Sequence, residues 1–391
     1  MRQHLAGWFH GAIASRWVVG SLPILLSPVW ADCECGYSIT TGSDNTQHVF
    51  TDLLESDFVH LDVTGDTTEY GKYGWAPQVF NVSMRAARGT YGQAFVAGDE
   101  TSSNTADNNV FTGPGSKGGD AGLQLTVKSE ILDNMVQSSE LATTDLSYFY
   151  GTFRAGIKVT DISGTCSAFF WYQNDTQEID IEFLSAEFNR GNSTFPVNLV
   201  LQSIASSDAG YDASGTGGFR KVNLGFDPTA DFHEYRFDFL QGRVLFYADG
   251  EPLAELDGPG VPTTPGHLLL SHWSNGNPAW SRGPPSTDAT TTVRYVKAYY
   301  NSSLPSRQAD FAARCADPAA AGAVCAVPDN DAEFFFSYRD GMTPNQTTYG
   351  GSGDGDENGA PRRAGLGPLA ETSFLWVVVG IASGIWVFGL L

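Results

Sequence analysis

The chain has 391 residues, of which 41% are hydrophobic and 13% aromatic, enough for one large domain with appendages. Only 17% of the residues are charged, yet the formal net charge is −22. Such an acidic surface argues against nucleic acid or an anionic polymer as a partner and is compatible with a neutral polymer.

Residues 1–31 have the pattern of a secretory signal peptide. Arg2 and Arg16 precede an apolar stretch over 17–26, and Ala31 is a small residue suited to cleavage after it. The short apolar stretch favours a signal peptide over a membrane anchor. Five Asn-x-Ser/Thr sequons follow, which fits secretion: Asn81, Asn174, Asn192, Asn301 and Asn345.

All five cysteines lie beyond the proposed cleavage site. In an oxidising compartment we expect Cys315 and Cys325 to close a small loop. We expect Cys33 or Cys35 to pair with Cys166, which leaves one thiol over. Zinc binding is not expected, because no CxxC pair or histidine cluster accompanies these cysteines.

The region 32–303 is dense in short alternating runs separated by Gly, Asn, Asp and Pro. Many strands with few helical stretches predict an all-β domain, a β-sandwich. Residues 98–122 are polar, rich in Gly, Asn and Asp, and without periodicity, so we predict a loop there. A solvated loop is favoured over a calcium site because the acids lack ligand spacing.

The run Glu178-Ile-Asp-Ile-Glu182 is the most informative segment. Strict alternation predicts a strand with Glu178, Asp180 and Glu182 on one face and the isoleucines behind. A solvated acidic strand is the alternative interpretation. Hydrolysis of a glycosidic bond needs two carboxyl groups flanking the anomeric carbon, and their separation decides between retention and inversion. Spacing in the sequence does not choose between these two outcomes.

The protonation of the three acids follows from their proximity. One carboxyl group must be neutral to donate a proton while its partner is ionised. A nearby like charge raises the pKa of a carboxyl group, so a row of three acids contains a protonated member. Asp180, short and placed between two glutamates, is suited to hold a proton and orient its neighbours. The pattern does not tell which glutamate is the nucleophile.

Beyond residue 303 the composition changes. We expect a small Cys-containing extension at 304–338 and a flexible Gly/Pro-rich linker at 339–373. Residues 374–391 form an apolar run without a charge. It is short and has nothing basic after it, which favours a removed attachment signal for a glycosylphosphatidylinositol anchor over a transmembrane helix.

Several segments then carry a family resemblance. They are Tyr150–Ala155, Gly164–Tyr172, Glu178–Phe183, His233–Phe239 with Val244–Gly250, and His272-Trp273 with Val296–Tyr299. In this order they cover most of 32–303 and resemble glycoside hydrolase family 16 enzymes of fungal type. The resemblance implies a jelly-roll β-sandwich with a concave substrate groove. It also implies retaining chemistry, with Glu178 as nucleophile, Glu182 as acid/base and Asp180 as helper.

Details of the acidic motif narrow the resemblance. An unbulged ExDxE strand is similar to the lichenase and transglycosylase branches, whereas laminarinase-type members carry an extra residue before the second glutamate. Thr176 and Gln177 depart from the Trp-Asp often found before the first glutamate of lichenase-like members.

The resemblance also names candidate sugar contacts. Phe170 and Tyr172 share one strand face and would line the groove, while Trp171 points the other way into the core. Trp273 and Trp280 match family positions near the cleft, where a flat ring can stack on a sugar. Burial in the core is the alternative for both. For His233 a structural role is favoured over catalysis.

We therefore expect an extracellular, anchored retaining glycosidase or transglycosylase at the cell surface and cell wall. Its substrate would be a β-linked wall polysaccharide, with no cofactor, no metal and no nucleic-acid partner. Its membrane contact would run through the C-terminal anchor, and we expect a monomer. A non-catalytic, lectin-like wall protein on the same sandwich is the competing hypothesis.

Overall fold

The computed structural model describes residues 33–42, 45–60, 67–95, 100–103 and 121–339. The proposed signal peptide, the linker from residue 340 onward, the C-terminal apolar run and the Asn345 sequon lie outside these ranges. Within them, no helix is long and apolar enough to cross a membrane.

Strands dominate the described residues. In chain order they are β1 (Tyr37–Thr40), β2 (Gln47–Phe50), β3 (Asp52–Asp57), β4 (Trp75–Pro77), β5 (Phe80–Val82), β6 (Gly92–Phe95), β7 (Glu100–Ser103), β8 (Gly122–Val127), β9 (Ile131–Leu132), β10 (Met135–Thr143), β11 (Tyr148–Lys158), β12 (Cys166–Asn174), β13 (Gln177–Leu184), β14 (Pro196–Gln202), β15 (Phe219–Asn223), β16 (His233–Leu240), β17 (Arg243–Ala248), β18 (Glu251–Asp257), β19 (His267–Trp273), β20 (Ala289–Ser302) and β21 (Cys325–Ala326). The α-helices are α1 (Ile204–Asp208) and α2 (Pro305–Arg314). Short 3-10 helices occupy Thr67–Tyr73, Ser185–Glu187, Arg190–Asn192, Ala213–Gly215 and Phe336–Tyr338.

Two large sheets form the sandwich. The first sheet runs in the order β15-β14-β13-β12-β19-β10-β6-β5, with β4 and β9 also paired to β10. The second sheet runs β18-β17-β16-β11-β20-β8-β7, with β3 also paired to β20. The prediction of an all-β sandwich, the jelly roll implied by the family resemblance, is confirmed. The acidic strand β13 lies inside the first sheet, with β12 and β14 on either side.

Aromatic side chains from both sheets meet in the core. Phe169 and Phe237 have ring centroids 5.2 Å apart, and Phe183 and Tyr235 are 4.6 Å apart. Trp171, as predicted, is fully buried and packs on the core side. Each fully buried aromatic or aliphatic side chain contributes roughly 1.5–3 kcal/mol, so this layer holds the two sheets face to face.

The predicted disulfide pairing is wrong. The bonds are Cys33–Cys325 and Cys35–Cys315, and Cys166 is a free, buried thiol. The reason is topological: β1 pairs in parallel with β21, which brings the two ends of the domain together. Cys315 and Cys325 are close in sequence, but each has a partner near the N-terminus. Both bonds therefore tie residues 304–338 to the start of the domain.

Residues 327–338 lie against the outer face of the second sheet; we call them the C-terminal strap. Phe336 packs with Tyr37 and Tyr299, at ring centroid distances of 4.9 and 5.7 Å. The backbone amides of Phe336 and Ser337 donate to the buried carboxylate of Glu55 at 3.0 and 2.8 Å. The strap is thus packed onto the sandwich by apolar contacts and by hydrogen bonds.

The predicted loop over residues 98–122 is wrong in part. Glu100–Ser103 form β7, which pairs antiparallel with β8 at the edge of the second sheet. Edge pairing is made by backbone groups and does not require an apolar alternation, which is why the sequence pattern missed it. Residues 104–120 lie outside the described ranges.

Candidate active site

The three acids project from one face of β13. Ile179 and Ile181 are fully buried on the opposite, core-facing side, while the intervening Asp180 is 5% exposed. The pairing of β13 with β12 is regular from Glu178 to Leu184, without a bulge. The alternation of the sequence predicted the strand and its two faces, and the family resemblance described the motif as unbulged.

Register across the sheet defines the surroundings of each acid. On β12, Tyr172, Phe170 and Ala168 lie opposite Glu178, Asp180 and Glu182 in that order. On β14, the corresponding partners are Gln202, Val200 and Asn198. Paired residues in a sheet point to the same side, so these side chains share the outer face of the first sheet with the acids. We call this surface the acid face.

Two side chains donate to the same oxygen of Glu182. The Trp280 indole Nε1 lies 3.4 Å from Glu182 Oε1, and the Cys166 thiol Sγ lies 3.3 Å from it. Burial raises the pKa of Glu182, and these two donors oppose that rise because they stabilise the carboxylate. The net effect is a raised pKa, so Glu182 holds its proton to higher pH than a carboxyl group in water does.

Asp180 and Glu178 form a hydrogen-bonded pair. Burial raises the pKa of Asp180 well above its ordinary value, and the charges of Glu178 and Glu182 add to this effect. Burial also raises the pKa of Glu178, to about 8, whereas its hydrogen bond with Asp180 lowers it. The hydrogen bond raises the pKa of Asp180 and lowers that of Glu178, which is the direction expected when Asp180 carries the shared proton and donates it to Glu178. The proton-holding role of Asp180 remains a prediction.

Two further acids act on this row and were missed by the sequence analysis. Glu140 on β10 and Asp175 in the turn after β12 both raise the pKa of Glu178 through their negative charge. The hydroxyl of Tyr172 donates to Asp175 at 2.7 Å, and that of Tyr211 lies 3.4 Å from it. Asp175 stands only three residues before Glu178, but nothing in a turn sequence indicates which side chains it approaches.

The aromatic candidates all lie on or beside the acid face. Phe170 and Tyr172 are partly exposed on β12. Trp273 is partly exposed and lies opposite Cys166, on the same side of the sheet. Trp280, in the loop that follows β19, is brought to the acids by its bond to Glu182. Their contact with sugar remains a prediction.

His233 lies on the second sheet, away from the acids. Its Nδ1 is 2.6 Å from a carboxylate oxygen of Asp249, and its ring stacks on Phe226 with centroids 3.6 Å apart. These contacts agree with the structural role expected from the sequence. Among the residues that the structure describes, no group of three or more His, Cys, Asp or Glu side chains could hold a metal ion.

Comparison with known proteins adds a family to this geometry. The profile of glycosyl hydrolases family 16 matches residues 99–297, about half of the chain. The chain belongs to glycosyl hydrolase family 16. Membership supports glycosyl hydrolase activity and agrees with the resemblance found in the acidic motif.

Individual relatives include bacterial and yeast proteins. The chain is 33% identical over 168 residues to a β-glucanase of Paenibacillus polymyxa, which covers 41% of this chain and 63% of the relative. It is 27% identical over 191 residues to Congo red hypersensitive protein 1 of Saccharomyces cerevisiae, and the match covers 46% of this chain and 34% of the yeast protein. A solved transglycosylase, Crh5 in complex with NAG, is 18% identical with a TM-score of 0.41, covering 65% of this chain and 86% of that one. The chain spans about 60% of the length of the first bacterial β-glucanases that it matches.

Proposed function

We propose that this protein is a retaining glycosidase or transglycosylase that acts on β-linked polysaccharide of the cell wall. One observation carries the proposal. Three acids on one face of an unbulged strand have different hydrogen-bond environments, with Glu178 accepting from Asp180 and Glu182 accepting from Trp280 and Cys166. Different environments are what separates the proton states of neighbouring carboxyl groups into nucleophile and acid.

In the first step, Glu178 attacks the anomeric carbon of the sugar in its ionised form, which a pKa of about 8 makes the smaller fraction at pH 7. The glycosidic bond breaks, and its electron pair stays on the leaving oxygen, which takes a proton from Glu182. The product is a covalent glycosyl ester on Glu178 and an ionised Glu182. Asp180, hydrogen-bonded to Glu178, orients the attacking carboxylate and later helps it to leave.

In the second step, Glu182 removes a proton from an incoming hydroxyl group, which attacks the anomeric carbon and releases Glu178. Water as the acceptor gives hydrolysis, and the hydroxyl group of another sugar chain gives transfer. Because both outcomes share one intermediate, the same three acids serve both. Phe170, Tyr172, Trp273 and Trp280 are proposed to hold the polysaccharide along the acid face, where flat rings stack on sugar.

The substrate class rests on two arguments. The relatives named β-glucanases point to β-glucan, and the net charge of −22 favours a neutral polymer. The proposed layout is a catalytic domain at 32–303, an extension at 304–338, a linker at 339–373 and an attachment signal at 374–391. With a signal peptide at 1–31, this layout would place a monomeric enzyme on the outer cell surface beside the wall, and favours remodelling of that wall.

Incubation of the purified protein with a panel of β-glucans and chitin oligomers tests the proposal, with Glu178→Gln as the matched variant. We expect new shorter products, which are lost in the variant. Products longer than the starting oligomers would demonstrate transfer. Tight binding without any product would instead support the lectin-like alternative and contradict the proposed enzyme.

A further inference from the structure

Cys166 is the one cysteine of this chain that forms no disulfide, and it is fully buried. It begins β12 and lies opposite Leu184 of β13. The Ala168–Glu182 pair is two residues further along β12, and residues two apart in a strand point to the same face. Its side chain therefore points to the acid face. The Sγ atom lies 3.3 Å from Glu182 Oε1, close enough for a thiol to donate a hydrogen bond.

A second donor contacts the same oxygen of Glu182. Trp280 Nε1 lies 3.4 Å from Glu182 Oε1. Among the described residues no donor contacts the other oxygen, Oε2, so one oxygen of Glu182 is held and the other remains for proton exchange with a substrate. An indole can only donate, and a thiol beside a carboxylate does the same as long as it keeps its proton.

Several groups ensure that the thiol keeps its proton. Burial raises the pKa of Cys166 well above its ordinary value; the negative charge of Glu182, the hydrogen bond to it and the negative charge of Asp180 add to that rise, and a hydrogen bond with Trp280 opposes it only in part. The free cysteine is therefore a neutral donor. It cannot serve as a nucleophile or a metal ligand in this state, because both roles need the thiolate.

We propose that Cys166 is a positioning residue for the acid/base: its thiol, together with the Trp280 indole, fixes the orientation of Glu182 and sets its acid strength. This inference rests on the proposed function, in which Glu182 protonates the leaving oxygen. A donor to the carboxylate favours the ionised form, so each of the two donors makes Glu182 a stronger acid. Loss of either one makes Glu182 hold its proton to higher pH.

Other titratable or charged groups near Glu182 can also change its pKa. On β13 these groups are Asp180 and Glu178, and on β12 it is Cys166. On β14 the facing residue is the neutral Asn198, with Lys221 of β15 beyond it. On β19 it is the neutral Ser271, with Glu140 of β10 beyond it. Among these neighbours, Cys166 is the titratable group bonded directly to Glu182.

The test is the pH profile of kcat/KM for Cys166→Ala and Cys166→Ser on an unactivated β-glucan oligosaccharide. The basic limb reports the loss of the acid's proton. We expect Cys166→Ala to shift this limb upward by about 1 pH unit, the lower end of the effect of a hydrogen bond to a charged group, because a thiol is a weak donor. Cys166→Ser, which restores an O–H donor, should return the limb towards wild type.

A second readout separates acid strength from packing. With a dinitrophenyl leaving group, departure needs no proton, so Cys166→Ala should lose much less activity than on the unactivated substrate. Ser167→Ala is the matched control, because Ser167 is the next residue, is buried, and bonds Thr291 at 2.6 Å on the core side. This control should change stability and leave the basic limb in place.

The inference is overturned if Cys166→Ala keeps the wild-type limb, or if it loses activity equally on both substrates. Glu182→Ala distinguishes this failure from failure of the proposed function. If Glu182 is the acid/base, Glu182→Ala should cleave the dinitrophenyl substrate, and azide should rescue its turnover. If Glu182→Ala behaves like wild type on unactivated substrate, the proposed function itself is wrong.

Discussion

The two sheets of the sandwich both carry charged side chains on their outer faces, and they differ in the partners that these side chains have. On the second sheet, Arg236, Arg154 and Lys297 lie side by side in register, and Glu55 follows Lys297 on the next strand. On the acid face, charge of a single sign runs along one strand. Both sets are largely removed from water, so each ionised group needs a partner or costs stability.

On the second sheet the partners are present. Arg236 makes two bonds to Asp238, at 2.6 and 2.7 Å, and one to Asp329 of the strap at 2.7 Å. Arg154 donates to the Pro328 carbonyl at 2.6 Å, and Lys297 donates to the Asp331 carbonyl at 2.7 Å. The strap thus supplies acceptors for a row of buried cations.

On the acid face the donors are few and neutral. Trp280 and Cys166 serve Glu182, and the protonated Asp180 serves Glu178. None of the three acids has an ion-pair partner among the described residues. The comparison shows that the buried cations of the second sheet are paired with acceptors, whereas the acids at the site of the proposed proton transfer have no cationic partner among the described residues and have raised pKa values instead.

The largest expected effect concerns the two disulfides that tie residues 304–338 to the start of the domain. They close nearly the same loop, with sequence separations of 292 and 280. Cys35→Ser with Cys315→Ser should cost only about 1–2 kcal/mol, because Cys33–Cys325 still joins the two ends. Removal of both bonds should cost about 6 kcal/mol, the loss of loop entropy expected for a loop of this length.

Urea unfolding measures this difference in three variants: one without Cys35–Cys315, one without Cys33–Cys325 and one without either bond. If the losses of the first two variants add up to the loss of the third, the idea that each bond makes the other partly redundant is contradicted.

The next effect tests the paired cations. Arg236→Ala leaves Asp238, which is fully buried, without its main partner. We expect a loss of about 3–4 kcal/mol in the free energy of unfolding, with the acid face unaffected. Arg236→Met combined with Asp238→Leu should lose less than Arg236→Ala, since it removes both charges together. A double variant that is less stable than the single one would contradict this account.

On the acid face, removal of an ionisable group is expected to increase the free energy of unfolding, whereas removal of Arg236 decreases it. The folded-state pKa of Glu178 is about 8, above its ordinary 4.5, so ionisation is disfavoured by folding. Wild type therefore loses stability as pH rises from about 4.5 to about 8. Glu178→Gln, neutral throughout, should be more stable than wild type by about 1–3 kcal/mol at pH 7 and equally stable below pH 4.

Thermal or urea unfolding at several pH values measures this gain. A variant that is less stable than wild type at pH 7 would show that the Glu178 carboxylate is well compensated.

The smallest effect tests whether Asp180 acts on Glu178 as a hydrogen-bond donor or through its charge. Asp180→Ala removes the hydrogen bond that lowers the pKa of Glu178, so the acidic limb of kcat/KM should move to higher pH, by about 1 unit. Asp180→Asn keeps an N–H donor and should leave that limb close to wild type. Equal shifts in the two variants would exclude a donor role for Asp180.

Local patterns in the sequence predicted the acidic strand well. The alternation of Glu178, Asp180 and Glu182 with isoleucine settles the two faces of β13, because side chains in a strand alternate with a period of two. The burial of Trp171 followed from the same rule. The order of motifs around the strand was enough to indicate the family.

Contacts between distant segments were beyond the reach of local patterns. The disulfides depend on the parallel pairing of β1 with β21, which joins the two ends of the domain. The approach of Cys166 and Trp280 to Glu182 depends on β12 and on the path of the loop after β19. The strap's acceptors for Arg154 and Lys297 lie more than 30 residues away in sequence. Each of these features is set by tertiary packing.

The most direct test of the proposed mechanism is trapping of the covalent intermediate. A 2-deoxy-2-fluoro β-glucan oligosaccharide with a dinitrophenyl leaving group should form a glycosyl-enzyme that accumulates. Mass spectrometry of the digested protein should then place one sugar adduct on the peptide containing Glu178, and Glu178→Gln should remain unlabelled. An adduct on a different residue, or turnover of substrate by Glu178→Gln at the wild-type rate, would contradict the mechanism.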